Sequence, residues 1–177
     1  LKPDDMIHRN HPVWATKNYS EVDGIAGEDQ QGVILRNINL NSKRYLGYSF
    51  GGGIDGKHIN YNGDDNSAYE LGEWIHTLMV VNRDAKTVNY YVNFVLVKTV
   101  RLSSYSWFTT DLDIDPYDVF ALGQDVTGTY TTSYEGSVDD LLIWNTAVDA
   151  ATVANLKAYY DNAFYDYDYS LGGEPTV

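Results

Sequence analysis

The chain has 177 residues, which is enough for one domain with a proper core and too little for two comfortable ones. Its net charge of −13 repels phosphate backbones, excluding nucleic acid and anionic membrane as natural partners. It has no cysteine, which removes disulfides, thiolate zinc sites and a Cys nucleophile together. No apolar run approaches the roughly 18 residues of a membrane span.

The aromatic set is skewed, with 16 Tyr and 4 Trp against 5 Phe. Rings with an apolar body and a polar edge suit binding surfaces. Tyr is also a good strand former on a half-exposed face, and both readings stand. Six of the 25 acidic residues are Glu and the rest are Asp, which favours turns and loops.

In chain order, Val13–Lys17, Gly32–Leu40 and Arg44–Phe50 read as strands, rich in β-branched and aromatic residues and bounded by turn formers. Lys57–Asn62 alternates His58, Asn60 and Asn62 against Ile59 and Tyr61. Trp74–Asn82, a turn at 83–86, and Thr87–Asn93 form the clearest hairpin. A second reversal at Asn93-Phe94 leads into Val95–Leu102. Val119–Leu122 and Gly136–Trp144 follow. A helix is predicted from Ala150 to Tyr159, capped by Asp149. Residues 161–177 are Tyr- and Asp-rich and end Gly-Gly-Glu-Pro-Thr-Val, like a linker. The expected organisation is a domain over 1–160 followed by this acidic tail. The fold expected is all-β, a two-sheet antiparallel jelly-roll sandwich with one short C-terminal helix.

Four stretches carry a resemblance. They are Pro12–Tyr19, Gly72–Arg83 with its Gly-Glu-Trp-Ile-His, Thr87–Val97, and Gly136–Val148 followed by the helix. In this order they resemble the laminin G-like branch of the concanavalin A-like jelly rolls, in its bacterial form. Phe94 stands where the family's hairpin carries Gly, which implies either a wider turn or a ring displayed at the loop tip. Leu1-Lys2-Pro3 resembles the tail of a strand, so the expectation is that a preceding segment or a second chain completes the sheet.

Related jelly rolls include glycoside hydrolases, which need two facing carboxyl groups about 5 Å apart for retaining hydrolysis. A Glu-x-Asp-x-Glu run would supply them on one strand face, and the sequence has none. The resemblance also implies a structural calcium at Asp139 and Asp140, against the simpler alternative of a solvated Asp pair at a strand start. Asp111, Asp113 and Asp115 alternate with Leu112 and Ile114; they mimic the first positions of a calcium loop but lack its sharp-turn Gly and bidentate Glu, and an edge strand guarded by charge explains them more simply. The histidines do not cluster in sequence; Trp74 reads as a core ring, and His76 packed beside it reads as structural.

Sugar recognition pairs flat rings with amides, carboxylates and hydroxyls. The segments that mix these give the candidate glycan-binding residues His58, Asn60, Tyr61, Asn62, Tyr69, Tyr105 and Trp107. The function expected is a non-catalytic carbohydrate-binding module of a larger secreted or surface protein, with glycan as its partner. A protein-binding adhesin and a hydrolase of the same fold are the rivals.

Overall fold

The computed structural model describes residues 1–4, 10–21, 23–40, 43–109 and 119–165. Asp111, Asp113, Asp115, His8 and the end of the acidic tail lie outside the described residues. The chain divides into two units, Leu1–Leu142 and Ile143–Val177.

The first unit is an antiparallel sandwich. Its larger sheet has β5 (His58–Tyr61), β4 (Lys43–Gly51), β3 (Gly32–Leu40), β2 (Asn10–Ala15) and β9 (Ala121–Leu122) in that spatial order. Facing it is a meander of β6 (Thr77–Asn82), β7 (Thr87–Val92) and β8 (Val95–Arg101). A separate short pair joins β1 (Lys2–Pro3) to β10 (Gly136–Ser137).

Period-two alternation builds the core. In β4, Leu46, Tyr48 and Phe50 point inward while Gly47, Ser49 and Gly51 point outward. Opposite them β7 contributes Val88, Tyr90 and Val92. The rings of Tyr48 and Tyr90 stack at 4.3 Å and those of Tyr61 and Tyr90 at 5.6 Å, so the two sheets meet through an aromatic column. Tyr48 Oη and Thr77 Oγ1 share a hydrogen bond of 2.5 Å across the same gap.

Both hairpins form where predicted. In the first, Lys86 takes a φ of 52° and Asn82 Oδ1 accepts from the Ala85 N–H at 2.8 Å. In the second the turn is not widened. Asn93 and Phe94 have φ of 48° and 63°, so two residues reverse the chain with positive φ at both. The Phe94 ring stacks on His76 at 3.8 Å, a contact that offsets the left-handed strain.

Three strand expectations need correction. Trp74 is not a core ring. Ile75 takes the inward position, alternation sends Trp74 outward, and it is exposed. The strand expected over Trp74–Asn82 begins at Thr77. Of the closing strand expected over Gly136–Trp144, only Gly136–Ser137 pairs, with β1.

In the second unit α1 spans Ala150–Tyr165, longer than predicted. Asp149 caps it, its Oδ1 accepting from the Thr152 N–H at 2.8 Å. The helix lengthens because Tyr160 to Tyr165 carry no breaker and a Lys157–Asp161 pair bridges adjacent turns.

Candidate functional site

The outer face of the larger sheet holds a connected polar arrangement. Strand β5 pairs with β4 so that Tyr61 faces Tyr48, Asn60 faces Ser49, and His58 faces Gly51. This register sends Ile59 and Tyr61 into the sandwich and leaves His58, Asn60 and, one step on, Asn62 in a row on the outer face. Tyr45 occupies the same face of β4, because it pairs with Ile38 in line with Gly47 and Ser49.

Buried groups hold this row from beneath. Asp29 Oδ1 accepts from His58 Nδ1 at 2.7 Å, and Asp29 Oδ2 accepts from the Gly56 N–H at 3.0 Å. Burial raises the Asp29 carboxyl, but those donors outweigh it and hold the group below the usual carboxylate range. At the other end Arg36, 2% exposed, donates to Asn62 Oδ1 at 2.9 Å and also to the Tyr19 hydroxyl. Between them Asn60 Oδ1 is shielded from solvent and has no hydrogen-bond partner among the described residues.

A second cation lies under the same loops. Lys17 is 0% exposed and donates to the Glu28 carbonyl at 2.8 Å and to Ser49 Oγ at 3.2 Å. Burial, reinforced by Arg36, lowers its amine to about 7. These two bonds pin the loop at Glu28 to the sheet. The loop after β9 closes over Tyr19, whose N–H donates to Asp125 Oδ2 at 3.0 Å and whose ring meets Tyr130 edge-on at 5.0 Å.

Of the candidate glycan residues, the structure brings together His58, Asn60 and Asn62. Tyr61, 6% exposed, lies in the core against Tyr90, and Tyr69 lies there too. Neither offers a ring face to a ligand: the β4–β5 register turns Tyr61 inward, and Tyr69, outside the strands, packs into the same core. Tyr105 and Trp107 follow β8 and pack at the edge of the core, with Trp107 against Gly52. They do not join the outer row, since Gly52 is inward where Gly51 is outward. Reading the sequence did not find Asp29, Arg36, Lys17 or Tyr45. A signal existed for two of these: Arg36 interrupts an apolar strand, and Tyr45-x-Gly47-x-Ser49-x-Gly51 is a period-two polar face.

Asp139 and Asp140 are both exposed, and the Asp140 N–H donates to Asp139 Oδ1 at 2.8 Å. Calcium takes 6–8 oxygens. Among the described residues no group of three or more His, Asp or Glu is placed to hold a metal. Two adjacent carboxylates alone do not fit such an ion.

Comparison with known proteins bears on the family. A search of curated proteins returns no match. A solved S-layer domain-containing protein from Clostridium thermocellum (residues 221–444) is similar at 16% identity with a TM-score of 0.33. The alignment covers 86% of this chain, which spans 65% of that one. A laminin G-like family model, described as the concanavalin A-like lectin/glucanases superfamily, matches residues 14–154. With most of the sandwich inside that match, the chain belongs to the concanavalin A-like lectin/glucanase superfamily.

Proposed function

We propose that this chain is a non-catalytic glycan-binding module of a surface or secreted protein, and that the outer row of β5 is its binding face. The observation that carries the reading is the row itself. His58, Asn60 and Asn62 stand at alternate positions on one face, with both ends fixed by buried charged partners, Asp29 and Arg36. Side chains held in one rotamer by buried partners lose little entropy when a ligand binds. Amide and imidazole groups at strand spacing suit successive sugar hydroxyls, and the half-exposed Tyr45 ring supplies a face for sugar C–H groups. The carboxylate at this site, Asp29, is buried and engaged with His58 and Gly56, which suits a positioning role rather than proton transfer.

The test is a glycan array probed with the wild type and with Asn60→Ala and Asn62→Ala, with and without a calcium chelator. Binding to at least one glycan is expected, with a loss of tenfold or more in each variant. Loss of about 1.4 kcal/mol corresponds to that factor. Absence of glycan binding under both conditions overturns the reading and favours a protein-binding role. Binding abolished by the chelator alone would assign calcium a part in the fold or the site.

A further inference from the structure

The two ends of the β5 row are held by groups of opposite charge, and each fixes which atom faces a ligand. Asp29 Oδ1 accepts from His58 Nδ1, so that nitrogen carries the ring proton and the neutral imidazole presents Nε2 as an acceptor. Arg36 can only donate. Its Nη2 donates to Asn62 Oδ1 at 2.9 Å, which orients the exposed Asn62 amide with Nδ2, a donor, toward solvent. Asn60 keeps Oδ1 shielded from solvent, and Nδ2 is again the amide atom left for a ligand. From His58 to Asn62 the row therefore offers an acceptor, a donor and a second donor.

The Asn62 donor is strengthened from beneath. Arg36 is 2% exposed and makes no ion pair among the described residues. The buried carboxylates are taken, Asp29 by His58 and Gly56, and Asp125 by the Tyr19 N–H and Thr127. The guanidinium charge acts instead on Asn62 Oδ1, and polarising that amide makes its N–H groups better donors. Such a donor favours a carbonyl or carboxylate oxygen over a hydroxyl. The charge of the chain selects between these two. At −13 overall, and with Asp64 and Asp65 following Asn62 in sequence, a carboxylate is repelled and a neutral carbonyl is not. An apolar neighbour is also in place. Tyr45 is half-buried on the same face, and a Cβ at Gly63 would collide with the Tyr45 Cβ, so this side chain starts against the backbone that follows Asn62.

We propose that the Asn62 end of the row recognises the acetamido group of a 2-acetamido sugar, with Arg36 as the positioning residue. The acetamido carbonyl oxygen accepts from Asn62 Nδ2, and its methyl lies on the Tyr45 ring. At the other end His58 Nε2 accepts from a hydroxyl of the same glycan, which gives the ligand one direction along β5. This inference rests on the glycan-binding reading of the face and names the sugar class that the face takes.

The experiment is a glycan array of matched oligosaccharides that differ only at C2, acetamido against hydroxyl, in gluco, galacto and manno configurations, with the corresponding uronates alongside. For the wild-type chain the acetamido member is expected to bind at least tenfold tighter in one configuration or more. In Asn62→Asp the new carboxylate still accepts from Arg36 but offers no donor. The acetamido preference should vanish there, the hydroxyl member should keep its binding, and the urea midpoint should hold or rise because Arg36 gains a counter-ion. A loss that weakens both members of a pair alike would mark a merely structural role and overturns the assignment. So do equal binding within every wild-type pair, tighter binding of the uronates, an undiminished preference in Asn62→Asp, and a lowered midpoint in that variant. Each of these leaves the glycan-binding reading standing, whereas binding to no member of the array overturns both.

Discussion

Replacing Lys17 by Met tests the reading of the buried cluster most directly. Folding takes this amine from an ordinary 10.5 to about 7, mainly through burial. At about 1.4 kcal/mol per unit, the difference corresponds to about 5 kcal/mol between the charged and neutral forms. The sign follows from proton counting. Between pH 7 and 10.5 the unfolded chain binds a proton at Lys17 that the folded chain does not, so stability rises with pH through that window. Below pH 7 both states are protonated and the folded state bears the full penalty of a desolvated ammonium. Met removes the titration but leaves the Glu28 carbonyl and Ser49 Oγ without their donor, a loss of about 1–3 kcal/mol. Urea unfolding followed by Trp fluorescence at pH 6.5, 8 and 9.5 measures both proteins. The wild type should gain on the Lys17→Met variant by about 2 kcal/mol between pH 8 and 9.5, and the variant should match or exceed it at pH 6.5. A stability difference that stays constant across this range would refute a neutral, buried Lys17.

Two further outcomes follow from the same face and from the core. Asp29→Ala should destabilise by about 2–4 kcal/mol at pH 7, because it strips partners from His58 and Gly56, and it should weaken glycan binding in parallel. Since folding lowers the Asp29 carboxyl, its contribution is present above the ordinary carboxylate range and is lost as pH falls through the folded value. Acid titration of stability should therefore be shallower in Asp29→Ala. Tyr90→Phe should leave the protein as stable as the wild type or about 1 kcal/mol more so, measured by urea midpoint. The Tyr90 hydroxyl is fully buried with no hydrogen-bond partner among the described residues, and the ring stacks with Tyr48 and Tyr61 do not need it.

Much of the architecture was legible in the chain. Alternation in Thr87–Asn93 named strand, face and hairpin partner together, because a period of two leaves one register that buries the apolar set, while Arg44–Phe50 was legible as a strand by its residue types. The same rule placed His58, Asn60 and Asn62 on one face. It also required Ile59 and Tyr61 on the other, yet Tyr61 was counted with the ligand residues on the strength of its polar edge. The error lies in treating a Tyr near Asn and Gly as a loop ring when the strand reaches it. Trp74 failed for the converse reason: a large ring was assigned inward while its neighbour Ile75 held that position.

Composition and periodicity determined the class of fold, the order of strands, the two hairpins and the polar row of β5, because each depends on neighbours within a few residues. Only the tertiary structure decided which charges lie beneath that row. Asp29 meets His58, Arg36 meets Asn62 and Lys17 meets Ser49 across separations of about 30 residues. Such contacts arise from sheet register and loop closure, and no local pattern encodes them.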